Sequence, residues 1–195
     1  MDGLLFDSER IVQRSWEIAG DELGIPHMED VIYHTLGMNR AGRNEYFRKY
    51  IREDFPFEEF GKLTRDNFWK IVDKEGLPLK KGAKELLAYG KSQGYKMAVA
   101  TSSSREYAMG NLIRAGIDSH FDSVVCGDMV KKAKPDPEIY QKACESLGIQ
   151  PEYCMAFEDA PGGILSAHQA GMQVIMVPGS CAADTGDTGT YVSGL

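Results

Sequence analysis

After Gly76, Leu77 and Pro78 the sequence alternates short apolar runs with amphipathic stretches, and this alternation restricts the fold more than any other feature. The apolar runs cover residues 97–100, 124–126, 155–157 and 174–177, and helical patterns read near 83–92, 105–115, 137–147 and 162–170. Parallel strands need a crossover of a dozen or more residues, usually a helix, so strand-helix alternation of this length builds a parallel sheet. The expected class is α/β, with a Rossmann-like core.

Ahead of that register the pattern is helical throughout. Ile11, Val12, Trp16, Ala19 and Leu23 recur at helical spacing, and Gly24 and Pro26 stop the helix. Three more helices are expected over 29–36, 41–53 and 56–75, with no strand pattern among them. A helical insert, about 8–76, therefore interrupts an α/β core made of 1–7 and 77–178, and a chain of 195 residues is long enough for both. Trp16, Phe57, Phe60, Phe68 and Trp69 read as the packing of these helices in preference to a pocket lining. The last stretch, 179–195, is rich in Gly, Thr, Ala and Asp and taken alone reads as a disordered tail.

The net charge of −7 bears on partners, because the basic residues are interleaved with acidic ones: Arg40, Arg43, Arg48, Lys49 and Arg52 stand beside Glu45, Glu53 and Asp54. Nucleic acid is not an expected partner of such a surface. No apolar run approaches the roughly 20 residues of a membrane helix, and no leader pattern opens the chain. Cys126, Cys144, Cys154 and Cys181 form no CxxC pair and have no His at ligand spacing, which reads as free thiols in a reducing cytoplasm. His27, His34, His120 and His168 share no spacing and receive no role.

Ligands of an open parallel sheet gather beyond the carboxyl ends of its strands, so the polar residues following each apolar run are the candidates. Thr101, Ser102, Ser103 and Ser104 put hydroxyls and backbone N–H groups at a helix start, which suits either an anion or a plain N-cap. Lys134, within Lys-Pro-Asp-Pro, is held extended by Pro135 and can neutralise a phosphoryl group if turned inward, or stand in solvent. Glu158 and Asp159 offer paired carboxylates to a hard cation, or Asp159 caps the next helix. The opening segment, residues 1–9, carries Asp2, Asp7 and Glu9, which by physics alone is a frayed acidic terminus.

Taken together, MDGLLFDSE, VATSSS, KPDPEIY and FEDAPGGILSAHQAGM resemble, in order and in spacing, the motifs of the haloacid dehalogenase (HAD) superfamily. The likeness is to its helical-cap phosphatases, the β-phosphoglucomutase-like subfamily, and it spans residues 1–178. The resemblance implies the HAD fold with an inserted helical cap that excludes bulk water, and a Mg²⁺-dependent phosphatase of small phosphomonoesters such as sugar phosphates. A phosphomutase, a catalytically dead phosphate-binding protein or a nonfunctional remnant are the alternatives. It implies that Thr101 and Ser102 bind the phosphoryl group, that Lys134 stabilises its charge, and that Glu158 and Asp159 hold Mg²⁺ together with the backbone carbonyl of Asp2. Asp2 matches the general acid/base of the family's DxD motif. Arg40 or Arg43, near the family's substrate-facing cap segment at 36–40, are candidates for a second phosphate, with solvated arginines as the plainer reading.

Two departures accompany the likeness. The family's nucleophilic Asp falls one position ahead of Met1, together with the first core strand, so an aspartyl-phosphate is not expected from the chain as written. The strands ending at Thr101 and Asp159 are then expected to lack the partner between them. At the other end, one legal back-translation of 179–195, read one base out of register, gives D-L-V-P-P-T-P-E, which resembles the family's tail. A frame shift is therefore expected there, and the gene sequence tests it.

Overall fold

The structure, a computed structural model, describes residues 1–35 and 40–177. The chain divides into two compact units, one formed by Ser8–Gly76 and the other by Met1–Asp7 with the sequence from Leu77 onward.

The first unit is all-helical among its described residues: α1 (Ser8–Glu22), α2 (Met28–His34), α3 (Arg40–Tyr50) and α4 (Phe57–Glu75). Its core forms around Phe47, which is fully buried and meets Phe55 at 4.7 Å and Trp16 and Phe60 at 5.7 Å between ring centroids, the last two edge to face. Such aromatic pairs add specific geometry to the apolar area they bury. Trp16 and Phe60 are buried and Phe57 packs against them, as core packing requires. Trp69 is a correction: it is exposed, in edge-to-face contact with the half-buried Phe68. Both fall beside the buried stripe of α4, whose inward positions are Phe60, Asn67, Ile71 and Val72. At the other end of α1, Gly20 lets the chain turn tightly, since a Cβ there would lie 2.5 Å from the Ile25 carbonyl oxygen and 2.7 Å from Met28 Cγ.

In the second unit α5 (Ala83–Ser92) is followed by β1 (Ala98–Ala100), α6 (Arg105–Arg114), β2 (Ser123–Val125), α7 (Glu138–Leu147), β3 (Met155–Glu158), α8 (Pro161–Gln169) and β4 (Gln173–Met176). The pairing is parallel throughout, Val99 opposite Val124 and Ala156 opposite Val174. It yields two separate two-stranded sheets, β1 with β2 and β3 with β4. Thus β1 and β3 each pair along one edge, and among the described residues no strand lies between them.

Side chains span what the ladder does not. Val125, Ile139, Tyr140, Ala143, Ala156, Ala167, Ala170 and Val174 form one apolar cluster shared by both strand pairs and by α7 and α8. Residues 1–7 curl into a tight turn in which the Met1 carbonyl accepts from the N–H groups of Leu5 at 2.8 Å and Phe6 at 3.2 Å. Phe6 is buried, and the turn is tied to the return of the chain by Asp7 N–H to the Pro78 carbonyl and Lys80 N–H to the Leu5 carbonyl, both 2.8 Å. Among the described residues no helix is long and apolar enough to cross a membrane. Residues 36–39 and the tail from 178 to 195, where the frame-shift expectation falls, lie outside the described residues.

Candidate active site

The tip of β1 passes into Thr101, which is buried, donates its N–H to the Val125 carbonyl at 3.0 Å, and accepts the Ser103 N–H on Oγ1 at 3.2 Å. Ser102 is exposed. The two roles open for this hydroxyl run divide among its members, because Ser104 caps α6 by accepting the Tyr107 N–H, while Ser103 turns toward the opening turn. Ser103 Oγ donates to Asp2 Oδ2 at 3.0 Å and the Tyr107 hydroxyl donates to Asp2 Oδ1 at 2.9 Å. Asp2 is therefore no frayed end, since both its oxygens are fixed by groups about a hundred residues away in sequence. Burial first, then the Asp2 charge, hold the Tyr107 phenol above its ordinary range, so it stays a donor.

Lys134 is not a solvated lysine. Its side chain is 14% exposed, and Nζ donates to the Ala100 carbonyl at 3.2 Å, to the Tyr140 hydroxyl at 3.3 Å and to Glu158 Oε1 at 2.5 Å. The ammonium also lies 4.7 Å from the Tyr140 ring centroid, a cation–π contact. Tyr140 donates its own hydroxyl to Glu158 Oε1 at 2.5 Å. Burial pulls the Glu158 carboxyl upward, but the Lys134 ammonium and the Tyr140 hydroxyl outweigh it and hold the group below its ordinary value.

The last strand tip crowds its carboxylates against backbone. A Cβ at Gly3, whose φ is +73°, would sit 2.1 Å from Asp159 Oδ2, and one at Gly163 would sit 2.1 Å from the Glu158 carboxyl carbon. Glycine at both positions is what lets the two acids approach the opening turn and the start of α8. Asp159 does not cap α8: the N-cap is Ala160, and Glu158 Oε2 accepts the Asp159 N–H at 3.1 Å and the Ala160 N–H at 3.4 Å. Burial, and then the charge of Glu158, raise the Asp159 carboxyl above its ordinary value. A spot that disfavours a second negative charge in this way fits a divalent cation, which would relieve it.

The contacts close into a ring. Ala100 and Thr101 lead to Ser103, Ser103 to Asp2, and Gly3 to Asp159; Glu158 then leads through Lys134 back to Ala100. Among the named candidates, the exposed Ser102 has no side-chain hydrogen bond in this ring. Among the described residues, Asp2, Glu158 and Asp159 do not bring three side-chain donors within reach of one ion; a trio of that kind, within 4.8 Å, occurs instead at the exposed His27 and Asp30 with the half-buried Glu29, at the start of α2. The Asp2 side chain is turned instead to Ser103 and Tyr107.

Arg40 pairs with Glu58 and stacks over Phe57, with its centre 5.6 Å from the ring, while Arg43 stacks over Trp16 at 5.8 Å. Ser103, which the sequence offered only as one of a run of hydroxyls, reaches Asp2, whereas Tyr107 and Tyr140 were not singled out by the sequence motifs. Tyr140 stands within KPDPEIY itself, yet its spacing from Lys134 looks like any aromatic on the buried face of a helix.

The haloacid dehalogenase-like hydrolase model matches residues 1–177. The chain belongs to that family. It is 33% identical over 175 residues to a phosphorylated carbohydrates phosphatase of Thermotoga maritima, an alignment covering 90% of this chain and 81% of the relative. It is 31% identical over 185 residues to hexitol phosphatase A of Escherichia coli, covering 95% and 82%. Among solved structures it resembles CbbY from Rhodobacter sphaeroides in complex with phosphate, with a TM-score of 0.65 and 26% identity over 93% of this chain and 84% of that one. The HAD fold with a helical cap and a parallel-strand core is thus common to this chain and its relatives.

Proposed function

We propose that this chain carries the phosphate and Mg²⁺ site of a phosphomonoester hydrolase for small, sugar-like substrates. The observation that carries the proposal is the ring of contacts joining two strand tips and the Lys134 connection to the opening turn, in an arrangement with one buried lysine and two crowded acids. In this reading Thr101 and Ser102 offer hydroxyl and backbone donors to the phosphoryl oxygens, and Lys134 leaves Glu158 to neutralise the charge that develops on them. Asp2, steadied by Ser103 and Tyr107, moves the proton of the leaving oxygen. Glu158, Asp159 and the Asp2 carbonyl would hold Mg²⁺, which when bound supplies positive charge beside the phosphoryl group. The names of the T. maritima and E. coli relatives support carbohydrate phosphates as the substrate class. The free thiols at Cys126, Cys144 and Cys154 support a reducing, cytoplasmic setting.

Attack on phosphorus needs a carboxylate, and among the described residues the acids of this site already have other roles in this reading. The Met1 α-amino group lies within electrostatic reach of Asp2, Lys134, Asp159 and Glu158, which supports a residue joined directly ahead of it as a neighbour of these groups. The test is a pair of proteins, the 195-residue chain and the same chain preceded by an apolar strand ending in Asp. With Mg²⁺ present, both are expected to bind inorganic phosphate, and the extended one alone to release phosphate from a hexose phosphate. Turnover of equal rate by the unextended chain would overturn the assignment.

A further inference from the structure

Lys134 arrives on residues 130–137, a connection without strand or helix between the short turn Gly127–Met129 and α7. Its shape is closed by one side chain. Glu138, the first residue of α7, turns back so that its two oxygens accept the Lys131 N–H at 3.1 and 3.0 Å and Oε2 also accepts the Lys132 N–H at 2.9 Å. One helical turn on, Lys142 Nζ stands 2.9 Å from Glu138 Oε1 and donates to the Met129 carbonyl at 2.7 Å. The far end of the loop is tied too: the Glu138 N–H donates to Asp136 Oδ1 at 3.1 Å, and the buried Ser166 on α8 donates to the Asp136 carbonyl at 2.6 Å.

We propose that Glu138, backed by Lys142, is the positioning residue for Lys134: it binds the loop's outgoing and incoming ends to the first turn of α7 and so fixes where the lysine enters the site. The inference rests on the reading of Lys134 as a phosphate-binding group. A lysine is a flexible point charge, and its value to a bound phosphate depends on how little freedom it must lose on binding. Ionised, Glu138 has only acceptors, which is what two backbone N–H groups and an ammonium require. Glutamine would face the same donors with an NH₂ of its own.

The measurement is the affinity for inorganic phosphate, with Mg²⁺ present, of the 195-residue chain and of Lys134→Ala, Glu138→Gln and the double variant. Temperatures are chosen at which circular dichroism shows every variant folded. Lys134→Ala is expected to weaken binding about 10-fold or more, and Glu138→Gln by about 3- to 10-fold, the range of one ordinary net hydrogen bond. The deciding result is the double variant, in which Glu138→Gln costs nothing further once Lys134 is gone, as coupling through the lysine demands. Equal losses in both backgrounds, or none in either, sink the positioning role while the site reading stands. An unchanged affinity in Lys134→Ala sinks the site reading itself. Should Glu138→Gln fail to fold, Lys142→Met takes its place, with a smaller loss that must likewise vanish in the Lys134→Ala background.

Discussion

At the scale of single residues the site is a set of charges each held by a particular neighbour. Glu138 shows the sign of such an arrangement. Its hydrogen bonds from Lys142 and from the Lys131 and Lys132 N–H groups lower its carboxyl from an ordinary 4.5 to about 2. A carboxyl depressed on folding contributes stability that is fully present above the ordinary value and is lost as pH falls through the folded one. Between pH 4.5 and pH 2 the protein should therefore lose stability in part through this group. Melting temperatures followed from neutral to acid pH should fall less steeply for Glu138→Gln than for the unaltered chain. Parallel curves would show that the carboxylate contributes nothing to the acid limb. The motif KPDPEIY made Lys134 legible as a candidate, because Pro135 and Pro137 restrict the backbone around it. It did not mark Tyr140, whose hydroxyl and ring work only because α7 lies beside the tip of β3.

At the scale of elements, helix positions followed from apolar spacing and their ends from breakers. The pattern over 83–92 coincides with α5, and the expected 137–147 starts one residue before α7 because Pro137 takes the N-cap position. The last strand lies one residue earlier than the apolar run at 174–177, since Gln173 pairs with Met155 although it is polar and exposed. Close approach is the feature composition hides. Gly20 sits in α1, where glycine is intrinsically unfavourable, yet a methyl group there would strike the Ile25 carbonyl and Met28. Gly20→Ala is thus expected to destabilise the helical unit by about 1–3 kcal/mol despite the gain in helix propensity. Denaturant unfolding followed by tryptophan fluorescence checks this, as Trp16 and Trp69 both belong to that unit. An increase in its stability would mean that the turn at Ile25 relaxes freely.

At the scale of the whole molecule, the two strand pairs are joined by side chains and helices where a continuous sheet would use a backbone ladder. Among the described residues, each of β1 and β3 keeps an edge whose N–H and C=O groups are not paired by a strand. An apolar strand added ahead of Met1 should fill both edges at once, raising the melting temperature by roughly 2–4 °C for each kcal/mol gained. A scanning calorimetry comparison of the extended and unextended chains reads this directly. An unchanged melting temperature would show that the added segment does not enter the sheet, whatever it does for activity.

The sequence by itself determined the class of fold, because the period of apolar residues is a local property and changes from helical to strand-like after Pro78. It also pointed to the strand ends where candidate residues gather, since polar residues following apolar runs lie beyond the carboxyl ends of the strands. The tertiary structure alone decided which of those groups meet. Ser103 and Tyr107 reach Asp2, and Tyr140 and Lys134 reach Glu158, across separations of 18 to 105 residues. Contacts over such distances leave no periodic trace in a chain, because they depend on how helices cross the strands and not on any spacing within them.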